Sequence, residues 1–444
     1  MAARRRVVRA RVGTARLTLT RDTLTIEKII AGGDGLARPA GAPVVFVPRT
    51  APGDVVEVEY VQERKGWRRA RTSNVIEPGP DRRAAPCPYY HACGGCQLQH
   101  LTYPAQLAAK REIVHDSLRR LGEIEREPPT IVPSPKELGY RNRITLTLRR
   151  SAEGVVAGYH HHELSHHIVD VDRCPLAEEP VNAAWSGLRR AWGEGADRLP
   201  AGEELRLTLR AALSGEVGLV VEGGEGRGDA EDLLQEVEPL AAIWGLDADG
   251  DVTWNVGEAA LSDRWGPYRL HVAGAAFLQV NREVATELEG HLRVACGLVE
   301  GRRIIDAYCG FGVRALRLAK EGARVVGIDS DPYAVGAARV AAEDSGLAAR
   351  FVRGEVERAL ARELPADLVI LNPPRAGVER EATTALERQP PDRIIYVSCD
   401  PATLARDLKR MADVFEVVDL RGFDMFPQTA HIETVVSLRR RQGG

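Results

Sequence analysis

Residues 302–331 read RRIIDAYCGFGVRALRLAKEGARVVGIDSD, and the fold turns on this stretch. An apolar run reaches Asp306 and breaks into a loop holding Gly310 and Gly312. The segment VRALRLAKEG then carries apolar residues at helical intervals, and a second apolar run, ARVVGID, closes on Asp329. Strand, glycine loop, helix and acid-tipped strand make one parallel βαβ unit. The two glycines let the chain turn tightly and come close to a ligand.

Reading outward, the alternation continues. Downstream come a helix (YAVGAARVAAEDSG), strands ARFVRG, ADLVILNPP and RIIYVSCD, and the helix PATLARDLKRM. Such a series predicts an α/β fold, a doubly wound, Rossmann-like parallel sheet over 271–444 with right-handed crossovers. Ligands of these sheets lie beyond the carboxyl ends of the strands, where Asp306, Asp329, Asn372 and Cys399 fall. A glycine loop of this kind also suits a dinucleotide. The acidic end of the second strand, fit for ribose hydroxyls, and the Asn-Pro-Pro corner favour S-adenosylmethionine. An Asn-Pro-Pro corner is common in methyltransferases of exocyclic amino groups, but Arg375 stands where those enzymes usually place an aromatic residue.

Upstream, residues 1–80 alternate short β-rich runs (LTIEKII, PVVFVP, DVVEVEYV, WRRARTSNVI) with Gly, Pro and Asp turns. That pattern predicts a small barrel of the oligonucleotide-binding kind. Its segment ERKGWRRAR sets five basic side chains around Trp67, cations for phosphates and an indole for a base. The whole 444-residue chain has a net charge of only −3, yet its first 83 residues hold 17 Lys and Arg against 9 Asp and Glu. A basic end of this sort predicts a polyanionic partner. Between barrel and sheet, 81–270 predicts a mixed α+β central domain, with an amphipathic helix in PAQLAAKREIVHDSLRRLGEI and strands in NRITLTLRR and ELRLTLRAAL. Its HHHELSHH run, His160 to His167, reads as an exposed turn, since consecutive side chains on a strand cannot converge on one metal. No window approaches a membrane span, and the Arg-laden start lacks the apolar stretch of a secretory signal. The expected location is cytoplasmic, without a membrane or a legible obligate protein partner.

Seven cysteines, an odd number, argue for metal or catalysis over a disulfide framework. Cys87, Cys93 and Cys96 have the spacing C-x5-C-x2-C, and Cys174 follows in DRCPL. Four thiolates accept either tetrahedral zinc or an iron–sulfur cluster, and spacing leaves both open.

The ordered set DAYCGFG, FLQVN, NPPRAG, YVSCDPATLARDL and PQTAHIETV resembles the RNA uracil carbon-5 methyltransferase family, over nearly the whole chain. The resemblance implies a TRAM domain for the barrel and a [4Fe–4S] cluster for Cys87, Cys93, Cys96 and Cys174. It also implies methylation of uridine in RNA, with ribosomal RNA favoured and transfer RNA an alternative. Carbon 5 of uracil is a poor nucleophile, so a thiolate must first add at carbon 6. Cys399 matches the family's nucleophile, and a helix N-terminus behind it is expected to stabilise its thiolate. Glu433 matches the general base that removes the carbon-5 proton. His431 is expected to orient that segment. By the same resemblance Phe277, Gln279, Tyr308, Gly310, Asp329, Glu355 and Asn372 contact S-adenosylmethionine.

Several positions depart from the family pattern. Val313 stands where some members have Asn, and Asp400 replaces an Asn behind the nucleophile. At Asn372 the pattern has Asp, and Asn can donate as well as accept a hydrogen bond. Cytosine carbon-5 or amino-group methylation, and an RNA-binding protein with impaired catalysis, are therefore the competing readings.

Overall fold

The computed structural model describes residues 21–265, 268–274 and 278–442. The chain divides into two compact units. One holds the residues up to Ile29 with Asp34–Pro80, the other Ile30–Gly33 with Asp81 onward.

In the smaller unit, strands run in the order Arg21–Thr25, Val55–Glu63, Trp67–Glu77, Val44–Pro48, Asp34–Ala37, Lys28–Ile29. The two outer strands are consecutive in the chain. Ile26 and Glu27 join them, donating backbone N–H groups to Asp54 and Leu36 carbonyls at 2.9 and 2.8 Å. The sheet therefore curls into a barrel, which removes its open edges. Alternating inward residues, among them Val45, Val47, Val56 and Val58, fill it.

The larger unit contains an eight-stranded sheet in the order Ala349–Arg353, Arg324–Asp329, Arg303–Ala307, Leu368–Leu371, Arg393–Ser398, Glu433–Arg440, Phe415–Phe423, Thr130–Val132. Its first five strands are parallel. From Arg303–Ala307 the chain winds one way to Arg353, then restarts on the other side at Leu368–Leu371. The switch point lies between those two strands, and ligands of such sheets bind there. Leu368–Leu371 is buried throughout, as expected for a strand covered on both faces. The far edge was not legible as parallel βα units, because Glu433–Arg440 inserts antiparallel between Arg393–Ser398 and Phe415–Phe423. That insertion carries Glu433 to the sheet's carboxyl end.

A second, seven-stranded sheet spans Arg143 to Gly257 and is antiparallel except where Val217–Glu222 meets Leu240–Leu246 through the helix Ala230–Glu236. Helix Glu179–Ala191 packs Trp185 and Leu188 into its core. No helix among the described residues is long and apolar enough to cross a membrane.

Candidate active site

A cavity of about 120 Å³ opens at the switch point, lined by Gln279, Tyr308, Gly310, Asn372 and Val397 among others. Gly310 has φ +54°, and a Cβ added there would meet nothing within 4 Å, so the glycine leaves the approach open. Gly312, at φ +68°, is needed for packing instead, since a Cβ would sit 2.3 Å from the Phe351 ring. Tyr308 holds a positive φ of 61° without being glycine, a strained conformation for its side chain. Its hydroxyl donates to Glu357 at 2.8 Å. Asn372 donates its N–H to the Ala307 carbonyl at 3.3 Å, which joins the corner to the end of the neighbouring strand.

The cavity floor is an ion network that sequence reasoning missed. Arg314 meets Glu289 at 2.7 Å and Asp306 at 3.5 Å, and Arg317 meets Glu289 at 3.4 Å. Asp306 is fully buried, and its Oδ2 has no hydrogen-bond partner among the described residues. Burial, only partly offset by Arg314, pushes its carboxyl up to about 6.

Cys399 and Glu433 meet across two adjacent strands. Ser398 pairs with Thr434, whose hydroxyl donates to the Ser398 carbonyl at 3.1 Å, so the residues flanking that rung face each other. Glu433 is 6 % exposed, and burial raises its carboxyl to about 8 against the lowering effect of Arg375. Burial and the Glu433 charge raise the Cys399 thiol to about 11, again opposed by Arg375. The expected thiolate-stabilising helix terminus does not prevail. Asp400 caps helix Pro401–Arg410, accepting from Ala402 and Thr403 N–H groups at 2.9 Å each, so a carboxylate takes up those donors beside the thiol. His431 is held down to about 4 by burial and the cations Arg375, Lys110 and Arg141, and is therefore neutral at neutral pH.

The corner itself is braced by Asp407, a residue with no motif signal. Its fully buried carboxylate accepts the Val378 N–H and the Tyr396 hydroxyl, each at 2.8 Å, and pairs with Arg406 and Arg410. Gly377, at φ +80°, is required because a Cβ would lie 2.4 Å from that carboxylate.

The remaining predicted cofactor residues divide. Asp329 is engaged by the glycine loop, accepting from Gly310 N–H at 2.7 Å and Asp331 N–H at 3.0 Å. Glu355 sits exposed before helix Val356–Glu363 and pairs with Arg358 at 3.1 Å, away from the cavity lining. Phe277 lies outside the described residues.

The sequence pattern of the tRNA (Uracil-5-)-methyltransferase family matches residues 257–441. An uncharacterised RNA methyltransferase of Halalkalibacterium halodurans is 33 % identical over 94 % of this chain and 96 % of its own length. One of Gloeobacter violaceus is 34 % identical over the same shares. The chain belongs to the uracil-5 RNA methyltransferase family. Among solved structures, the tRNA (uracil-54, C5)-methyltransferase of Pyrococcus abyssi, in complex with S-adenosyl-L-homocysteine, superposes with a TM-score of 0.72 at 29 % identity, over 94 % of this chain and 100 % of that one.

Cys87, Cys93, Cys96 and Cys174 are all half-buried free thiols. Burial lifts the thiols of Cys87 and Cys96, the latter to about 12, and Cys174 adds to both electrostatically while Cys93 also acts on Cys96. Gly95 N–H points at the Cys93 sulfur, 3.4 Å away. One neighbourhood thus holds all four, yet no three Cys, His, Asp or Glu side chains among the described residues form a single-ion cage. The histidine run forms a turn, in which His160 Nδ1 bonds the Ser165 carbonyl at 2.7 Å and His161 Nδ1 accepts Glu163 N–H at 3.1 Å.

Basic residues of the barrel are partly neutralised within their own unit. Arg68, Arg69 and Arg71 pair with Glu63, Asp34 and Glu59 at 2.9, 2.9 and 3.0 Å. Trp67 packs its ring 5.9 Å from Phe46.

Proposed function

We propose that this member of the family methylates carbon 5 of a uridine in RNA, using S-adenosylmethionine as donor. The observation that carries the reading is the meeting of Cys399, Glu433 and Arg375 at the carboxyl end of the sheet. A nucleophile and a buried base are what carbon-5 chemistry needs, and amino-group methylation has no use for either. Gln279, Tyr308, Gly310 and Asn372 would hold the cofactor in the switch-point cavity, Asp329 its ribose hydroxyls and Phe277 a further contact, while Glu355, which does not line that cavity, would meet only a part of the cofactor extending beyond it. When bound, the cofactor supplies an electrophilic methyl group.

The chain's own residues do the rest. Cys399 thiolate adds to carbon 6 of a uracil unstacked from its RNA, and the electron pair of the 5,6 double bond becomes the carbon-5 nucleophile. Arg375 supports the anionic forms of both Cys399 and Glu433. After methylation, Glu433 takes the carbon-5 proton, the double bond reforms and the Cys399–carbon bond breaks, returning the thiolate. His431, neutral and edge-on to Phe426 at 6.1 Å between ring centroids, orients this segment.

Ribosomal RNA is the substrate class we favour from the sequence. The tRNA activity named for the Pyrococcus abyssi neighbour supports transfer RNA as the second reading. For the cysteines we propose a [4Fe–4S] cluster. Four soft thiols whose charges act on one another within one neighbourhood offer the donor set that such a cluster takes. Anaerobically purified protein should be brown, with a broad visible absorbance that a chelator bleaches; colourless protein with one zinc per chain would refute the cluster.

For the reaction, purified protein should trap a covalent adduct with 5-fluorouridine RNA and release tritium from RNA labelled at carbon 5 of uridine. Cys399→Ala should abolish both signals. Methylation that persists in Cys399→Ala would overturn the mechanism, and nucleoside mapping in cells with and without the protein separates the two RNA classes.

A further inference from the structure

Gln428 lies five residues before Glu433, fully buried, at a φ of +70° that a side chain rarely adopts. Every polar group it has is engaged. Its carbonyl accepts the N–H groups of Gln97 and Leu98 at 3.1 and 3.0 Å, the two residues directly after Cys96. Its own N–H donates to Gln106 Oε1 at 2.9 Å, and Gln106 Nε2 returns a bond to Gln428 Oε1 at 3.0 Å. Arg83 donates to the same oxygen at 3.1 Å, and Gln428 Nε2 donates to Glu137 at 3.3 Å. Two residues on, Ala430 N–H reaches Gln97 Oε1 at 3.4 Å, while Gln97 Nε2 bonds the Gly94 carbonyl at 3.0 Å inside the cysteine segment. A strained, buried and fully satisfied residue of this kind holds one backbone geometry, because each broken bond would leave a buried polar group unpaired.

We propose that Gln428 is a positioning residue through which the cysteine segment holds the Glu433 loop in place for proton removal. The inference rests on the uracil carbon-5 reading above, and it gives the cysteine segment a task in the reaction besides folding. In the step concerned, the Glu433 carboxylate takes the carbon-5 proton, the C–H electron pair forms the 5,6 double bond, and the C–S pair leaves with Cys399. Cys399 addition and methylation precede that step and do not need the base.

The test uses the full chain as purified under anaerobic conditions. Gln428→Gly keeps the positive φ and removes the side-chain bonds; Gln106→Ala removes the partner and guards against a folding failure of the first. Adduct formation with 5-fluorouridine RNA, which stops before proton removal, should stay near wild type in both. Tritium release and kcat should fall together by about tenfold or more, with KM for RNA and cofactor little changed. Adduct formation and proton release falling in step would make Gln428 merely structural, and no change in either would also overturn the proposal. An activity-independent arm is amide hydrogen exchange over residues 427–433. Exchange there should quicken in Cys96→Ser, and unchanged exchange would sink the coupling whatever the reaction is. Wild-type protein that gives neither adduct nor tritium release, but shows the exchange response, would instead remove the carbon-5 reading and leave the mechanical link intact.

Discussion

Glu433 sits almost out of water with the Arg375 cation acting on its charge, and its carboxyl titrates near 8 where an exposed glutamate titrates near 4.5. Two consequences follow from that upward displacement. In the proposed role of base, Glu433 works only when ionised, so kcat/KM should climb with pH through about 8 and the climb should vanish in Glu433→Gln. For stability, the folded chain keeps a proton that the unfolded chain has lost between about 4.5 and about 8. Its contribution is complete below that window and fades as pH rises through it. Glu433→Gln should therefore raise the unfolding free energy at pH 8 by a few kcal/mol, since each tenfold change in an ionisation constant is worth about 1.4 kcal/mol, while abolishing proton release. An unchanged denaturation midpoint would contradict the burial argument. Asn372→Asp belongs to the same scale. The cavity-lining amide becomes a carboxylate that only accepts, which should tighten binding of the cationic cofactor by about tenfold relative to neutral S-adenosylhomocysteine. Equal effects on both ligands, measured by calorimetry, would show that position 372 does not sense the sulfonium. Most of these residues were legible in the sequence, since Cys399, Glu433 and Asn372 each stand in a recognisable motif. Their titration behaviour was not, because it depends on what buries them.

Elements hold the site through packing that motifs only partly disclose. The glycine loop was readable, but two glycines that look alike do different work: Gly310 leaves space, and Gly312 yields to Phe351 on the edge strand Ala349–Arg353. Gly312→Ala should cost about 2–4 kcal/mol through overpacking and a disfavoured φ, and a denaturant midpoint within error of wild type would refute the contact. Helix Tyr103–Leu121 read only as amphipathic. In the fold its Lys110 is fully buried, paired with the equally buried Asp424 and donating to the Phe426 carbonyl at 3.0 Å. Lys110→Met should destabilise the protein by about 3–5 kcal/mol by stranding Asp424, as urea denaturation would show. Helical spacing could not announce this, because a lysine on an amphipathic helix is normally solvent-facing and its partner lies 314 residues away.

On the scale of the whole molecule, charge is unevenly distributed, with a basic N-terminal stretch and an acidic remainder. The barrel's pairing of Arg68, Arg69 and Arg71 with acids leaves its RNA affinity to be measured as a salt slope. Replacing both Arg64 and Lys65 by Ala should weaken RNA binding across sequences and flatten the slope by about 1 for each phosphate no longer neutralised. A slope equal to wild type would mean that these two cations do not meet the phosphate backbone.

Local sequence by itself determined the αβ alternation, the glycine loop, the acid-tipped strand and the thiol grouping, because hydrophobic period and turn chemistry act over a few residues. Tertiary structure alone decided that Glu433 returns antiparallel beside Ser398, that Asp407 braces the Asn-Pro-Pro corner, and that Gln428 bonds the residues directly after Cys96. Those outcomes depend on burial and on contacts between residues tens to hundreds of positions apart, and neither is written in any local pattern.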